Sequence, residues 1–101
     1  MNSNVLILYG RKGCCLCESL EERLLNIPLR DLIPPFHLQI LDIDNPEVPK
    51  ELRCRYEMEV PILAILFSEE RSQVELPRVS PRLKGEELLK WLQRSIKKNI
   101  S

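Results

Sequence analysis

Three of the four cysteines of this 101-residue chain fall in one stretch, Gly13-Cys14-Cys15-Leu16-Cys17-Glu18. The residues on either side constrain what that stretch can be. Before it, Val5-Leu6-Ile7-Leu8-Tyr9 is an unbroken apolar run of strand formers, the pattern of a strand covered on both faces. After it, Leu16, Leu20 and Leu24 recur at i, i+4 and i+8, which lays one apolar stripe along a helix. Gly10-Arg11-Lys12-Gly13 reads as a short loop between them. The cysteines therefore sit where a buried strand gives way to a helix.

That position has chemical consequences. The first N–H groups of a helix have no intrahelical acceptor, and the helix dipole adds partial positive charge, so a thiolate is favoured there. Cys14 and Cys17 are three apart, which puts their sulfurs on one side of a helical first turn, close enough to bond. In Cys-x-x-Cys settings the leading thiol has a pKa of roughly 3.5–7.5 instead of about 8.5. A thiolate with a second thiol beside it is a site for thiol–disulfide exchange.

Size and charge narrow the class. The length suits one domain with one core, residues 1–101. Fifteen basic and fifteen acidic residues cancel, so nothing marks a nucleic-acid footprint or a basic membrane patch. No apolar run approaches the roughly 20 residues of a membrane span, and no basic, then apolar, leader opens the chain. The expectation is a cytoplasmic protein that engages neither nucleic acid nor membrane. In a reducing compartment, bunched cysteines point to redox or metal chemistry more than to a structural disulfide framework.

The remaining pattern gives an order of elements. A first helix is expected over 15–26, ended by Pro28. A connection over 29–35 holds Pro34-Pro35 and a short helical turn, and a second strand covers 36–44. Asn45-Pro46 signals a turn and a helix start, with a helix over 47–55 carrying Val48, Leu52 and Tyr56 at helical spacing. A third strand spans 62–67, then a polar hairpin loop over 68–72 and an edge strand over 73–76, cut short by Pro77. The last helix covers 85–98, with Leu88, Leu92 and Ile96 on one face and Trp91 beside it. The order β-α-β-α-β-β-α predicts an α/β fold: a four-stranded mixed sheet with helices on both faces. The first two strands should be parallel, through a right-handed crossover, and the last two antiparallel.

Residues and element order together resemble the thioredoxin superfamily. Leu8-Tyr9-Gly10-Arg11-Lys12-Gly13-Cys14-Cys15-Leu16-Cys17-Glu18 is similar, position by position, to the Leu-Tyr-x-Arg-x-Gly-Cys-x-Leu-Cys-Glu pattern of small glutaredoxin-like proteins. Val60-Pro61-Ile62-Leu63 resembles the superfamily's Val-Pro segment with a cis proline. Asp42-Ile43-Asp44-Asn45-Pro46-Glu47, followed by Arg55-Tyr56, is a weaker third match. The resemblance implies a thioredoxin-like fold and a glutaredoxin-like disulfide oxidoreductase. Cys14 would then be the exposed nucleophile and Cys17 the thiol that resolves the mixed disulfide. Arg11, Lys12, Cys15, Val60 and Pro61 would frame the substrate, with the Val60 backbone pairing to an extended chain. The implied partners are protein or small-molecule disulfides and a cellular reductant, with no tightly bound cofactor.

The chain also departs from the pattern. Glutathione-binding relatives carry a Gly-Gly-x-Asp-like turn before the last helix. Here Val79-Ser80-Pro81-Arg82-Leu83-Lys84-Gly85 has a single glycine and no aspartate. The reductant is left open between glutathione and a system of the thioredoxin-reductase type.

Other readings of the same residues stand beside this one. A structural zinc site takes about four ligands, and Cys14, Cys15 and Cys17 supply three, with no spacing that brings in Cys54 or His37. Metal or iron–sulfur binding on the same fold is the alternative function. Cys15 reads either as a second resolving thiol or as a helix residue facing away from Cys14, since adjacent helix positions diverge. Cys54 and His37 read as structural, Glu18 as a solvent-screened carboxylate and Trp91 as core.

Overall fold

A computed structural model of the protein describes residues 4–68 and 73–99. Its elements are β1 (Asn4–Gly10), α1 (Cys15–Leu25), a 3-10 turn (Leu29–Asp31), β2 (Phe36–Asp42), α2 (Lys50–Tyr56), β3 (Ile62–Leu66), β4 (Val74–Glu75) and α3 (Gly85–Lys98). The strands form one mixed sheet in the order β2-β1-β3-β4. β1 runs parallel to β2, with Leu8 opposite Ile40, and antiparallel to β3, with Leu8 opposite Leu63. β4 is antiparallel to β3. This is the thioredoxin-like α/β arrangement expected of the element order.

Alternation along the two central strands divides the core in two. Leu6 and Leu8 of β1 and Leu63 and Ile65 of β3 point to one face, where Leu20 and Leu24 of α1 and Leu88, Leu92 and Ile96 of α3 cover them. Ile7, Tyr9 and Ala64 point to the other, where Ile43 and the α2 residue Tyr56 close over them. Both faces being covered explains why β1 and β3 read as continuous apolar runs rather than alternating ones. Trp91 is half-buried against the first cluster.

On the second face the tyrosines are tied to the β4 edge. Tyr9 and Tyr56 pack with ring centroids 5.0 Å apart. The Tyr9 hydroxyl donates to Gln73 at 2.6 Å and the Tyr56 hydroxyl to Glu75 at 2.7 Å. Glu75 also pairs with Arg55 at 2.6 Å. Burial raises the pKa of both phenols. The Glu75 carboxylate, which accepts the Tyr56 proton in a hydrogen bond, adds to the effect at Tyr56.

Several boundaries differ from the sequence reading. β2 stops at Asp42 because its carboxylate accepts from the Asp44 amide at 2.8 Å and its carbonyl from the Asn45 amide at 2.9 Å, which turns the chain. α2 starts at Lys50, not at Glu47. Pro49 disfavours helical backbone at Val48, and 45–48 instead close a turn, with the Val48 amide on the Asn45 carbonyl at 2.9 Å. The fourth strand shrinks to two residues, and the third ends one residue early at Leu66. Of the expected 68–72 loop, residues 69–72 lie outside the described residues. The apolar stripe of α1 also shifts: Cys17, Leu20 and Leu24 face the core, while Leu16 stays 51% exposed.

Candidate functional site

The loop from β1 to α1 is shaped by two glycines with different duties. Gly13 has φ +79°, left-handed backbone that side-chain-bearing residues rarely adopt. It lets the Cys14 amide turn back onto the Arg11 carbonyl at 3.2 Å. Gly10 is needed for space: a Cβ there would lie 3.2 Å from the Cys17 Cβ. Its bare backbone allows the end of β1 to press against the first turn of α1.

Cys14 then occupies the N-cap of α1, with extended backbone (φ −88°, ψ 105°). Its Sγ accepts the Cys17 amide N–H at 3.1 Å, and its carbonyl accepts the Glu18 amide at 3.0 Å. A sulfur does here what a serine or aspartate oxygen does at most helix starts. Cys14 and Cys17 are joined as a disulfide, with Cα atoms 5.2 Å apart. The two cysteines differ in exposure: Cys14 is half-buried, whereas Cys17 is 5% exposed and packed under Gly10. One residue is partly open to solvent and the other is held in the core.

The other residues singled out from the sequence are distributed unevenly. Arg11 is engaged: its guanidinium donates to both Asp44 oxygens, at 2.9 and 3.2 Å, and to the Glu57 carbonyl at 3.4 Å. The pairing with Asp44 raises its already high pKa. Lys12 is exposed in the loop, and Cys15, the first residue of α1, is exposed and unbridged. The Val60–Pro61 bond is cis. Pro61 lines a shallow hollow together with Leu16 of the cysteine turn. Val60 is not wholly free to pair with an incoming chain, because its N–H donates to the Tyr56 carbonyl at 3.1 Å. Only its carbonyl is left for a substrate. Cys54 and His37 are exposed on α2 and β2.

Sequence reasoning missed three contributors. Asp44 was visible only as part of a weak motif, and its role as the Arg11 partner needed the return of the chain after β2. Arg78 carries no motif, yet it borders the Pro61 hollow. Arg23, on α1 and likewise without a motif, donates to the Ser80 and Leu83 carbonyls and fastens the loop before α3 beside the hollow. Among the described residues no group of three or more His, Cys, Asp or Glu side chains is placed to hold a metal ion. No helix among them is long and apolar enough to cross a membrane.

A search of curated proteins finds no match. Among solved structures, one described as the structure of a malarial protein aligns over 94% of this chain and 99% of its own, with a TM-score of 0.58 at 14% identity. That is a likeness of fold alone. The family model of the glutaredoxin-like domain (DUF836) matches residues 5–93, from the first strand into the last helix, with the Cys14–Cys17 pair inside the match. On that match, the chain belongs to the glutaredoxin-like domain family.

Proposed function

We propose that the protein is a thiol–disulfide oxidoreductase in which Cys14 attacks and Cys17 resolves. In the reduced protein the Cys14 thiolate attacks one sulfur of a substrate disulfide. That forms a mixed disulfide and expels the other substrate sulfur as a thiolate, which takes a proton from solvent. Cys17, losing its own proton, then attacks Cys14 Sγ, expels the second substrate thiolate and closes the Cys14–Cys17 disulfide. Two electrons have passed to the substrate, and an external dithiol or thiol pair must return them.

One observation carries this reading: the Cys17 amide N–H points at Cys14 Sγ at 3.1 Å, at the start of an 11-residue helix. A donor aimed at the sulfur, together with the helix dipole, favours the ionised thiol. The half-buried position of Cys14 supports its role as the attacking sulfur, and the burial of Cys17 supports its role as the resolving one.

Glutathione fits this surface poorly as a recognised ligand. The Val60 amide that would pair with its backbone is taken by Tyr56. The 79–85 loop offers Arg82 and Lys84 where an acid would be needed to meet an ammonium group. The electron donor is accordingly better sought among protein dithiols than in the glutathione pool. Redox titration of the purified protein, followed by mass after thiol alkylation, tests the proposal. A two-electron transition confined to Cys14 and Cys17 is expected, and a protein whose two thiols never interconvert with a disulfide would end it.

A further inference from the structure

The surface beyond the cysteine turn is apolar with a cation at its centre. Leu16, exposed inside the turn itself, borders a hollow with Leu20, Pro61, Arg78, Val79 and Pro81. A second hollow, bordered by Glu59, Ile62 and Pro77, shares Pro61, Arg78 and Val79 with the first. The two hollows lie side by side along Pro61, Arg78 and Val79, and the first reaches the cysteine turn at Leu16. No carboxylate borders the first hollow, and of its two arginines Arg23 is turned to the Ser80 and Leu83 carbonyls. Arg78 is exposed, and among the described residues it forms no ion pair. In the second hollow Glu75 is already matched by Arg55 and Tyr56, and the exposed Glu59 is its one carboxylate without an ion pair among the described residues, so the net positive character lies at the first hollow.

The backbone beside these hollows offers less than a strand edge normally would. When an extended chain is bound along a strand, main-chain hydrogen bonds give affinity and side-chain pockets give selectivity. With the Val60 N–H donated to Tyr56, one of the two groups that would hold any sequence alike is gone. Discrimination passes to what the side chains find: an apolar hollow that reaches Leu16 of the cysteine turn, with the Arg78 cation on its border.

Resting on the exchange reaction above, we infer that the substrate disulfide lies in an extended polypeptide segment of a defined kind. That segment sets an apolar side chain against Leu16 and Val79 and a carboxylate against Arg78. The protein is then a sequence-selective oxidoreductase for acidic, apolar-flanked cysteines. A small disulfide without these groups would meet Cys14 but neither feature.

Synthetic peptides test this. Each carries one cysteine as the mixed disulfide with 2-mercaptoethanol, a neighbouring leucine, and either aspartates or lysines at the surrounding positions. Hydroxyethyl disulfide serves as the reference substrate. Second-order rate constants for oxidation of the pre-reduced protein are compared within each variant, so that any general effect of a substitution cancels. The aspartate peptide should react about tenfold faster than the lysine peptide at low salt, with the ratio narrowing as salt is added. Arg78→Glu should invert the ratio. Replacing the peptide leucine by serine should slow the wild-type protein several-fold more than it slows Leu16→Ser. Equal peptide rates in a protein that reduces hydroxyethyl disulfide would overturn the substrate assignment while leaving the oxidoreductase intact. So would an acidic preference that survives Arg78→Glu. Failure to reduce any of these disulfides would overturn both.

Discussion

The amide of Cys17 donates to the sulfur of Cys14 at 3.1 Å, so the first turn of α1 is capped by the sulfur we propose as the nucleophile. Capping and reactivity thus have one cause, and they should move together. The Cys14 thiol should titrate in the roughly 3.5–7.5 range of helix-start cysteines rather than near 8.5. The rate of iodoacetamide labelling of reduced protein against pH gives the midpoint. Cys17→Ser should leave Cys14 labelling intact and accumulate mixed disulfides with substrates, and Cys14→Ser should abolish exchange. A midpoint at or above that of a free cysteine would contradict the assignment.

Gly10→Ala should destabilise the protein, and more so when it is oxidised. The added methyl would lie 3.2 Å from the Cys17 Cβ. In the disulfide form Cys17 is tethered to Cys14 and cannot yield. Overpacking of a fixed contact costs about 1–3 kcal/mol, which in a domain this small lowers Tm by about 4–8 °C per kcal/mol. Thermal melts of the oxidised and reduced variant beside wild type give the two shifts, and the reduced one should be the smaller.

Gly13→Ala meets no steric neighbour within 4 Å, so its cost is confined to the backbone at φ +79°. Placing a side chain in left-handed backbone costs roughly 1–2 kcal/mol. Gly13→Asn should recover part of this, since asparagine tolerates the region better than alanine. Denaturant melts would rank the three proteins Gly, Asn, Ala. Alanine equal to glycine would mean that the turn relaxes out of the left-handed region.

The buried phenols predict the alkaline limit of stability. Tyr9 and Tyr56 both titrate above the ordinary 10.0, chiefly through burial. Above pH 10 an unfolded chain loses these protons while the folded one keeps them. The unfolded state then binds fewer protons, and stability falls as pH rises. Tyr56→Phe should flatten that decline, at some loss of stability near neutrality because the hydrogen bond to Glu75 goes. Urea melts between pH 7 and 11 would show whether the slope above pH 10 differs between the two proteins.

Where the sequence carried a strong local pattern, the fold followed it. The apolar runs at 5–9 and 62–67 gave the central strands to within a residue or so at their ends, and the leucine period from Leu88 gave α3 to the residue. The cysteine turn was legible because helix-start chemistry depends on a few adjacent residues. What went astray depended on contacts distant in sequence or on competing signals. Pro46 signalled a helix start, but Pro49 overruled it three residues later by holding Val48 out of helical backbone. Leu16 fitted the leucine period, yet the close approach of Gly10 brings Cys17 inward and leaves Leu16 at the rim. The pairing of Arg11 with Asp44, 33 residues on, could not be read from spacing. The donation from Val60 to Tyr56 was hidden for a similar reason, since it depends on where α2 ends.

The burial of Cys17 one turn beneath Cys14 also governs what peroxide can do to this protein. Oxidation of Cys14 yields a sulfenic acid, which faces a thiol held at a Cα separation of 5.2 Å. Condensation expels water and stops the sulfur before the sulfinic and sulfonic stages, from which there is no simple return. Cys15 and Cys54, exposed and outside the pair, have no such brake. Under oxidative stress it is these two exposed thiols, rather than the Cys14–Cys17 pair, that would carry the lasting damage.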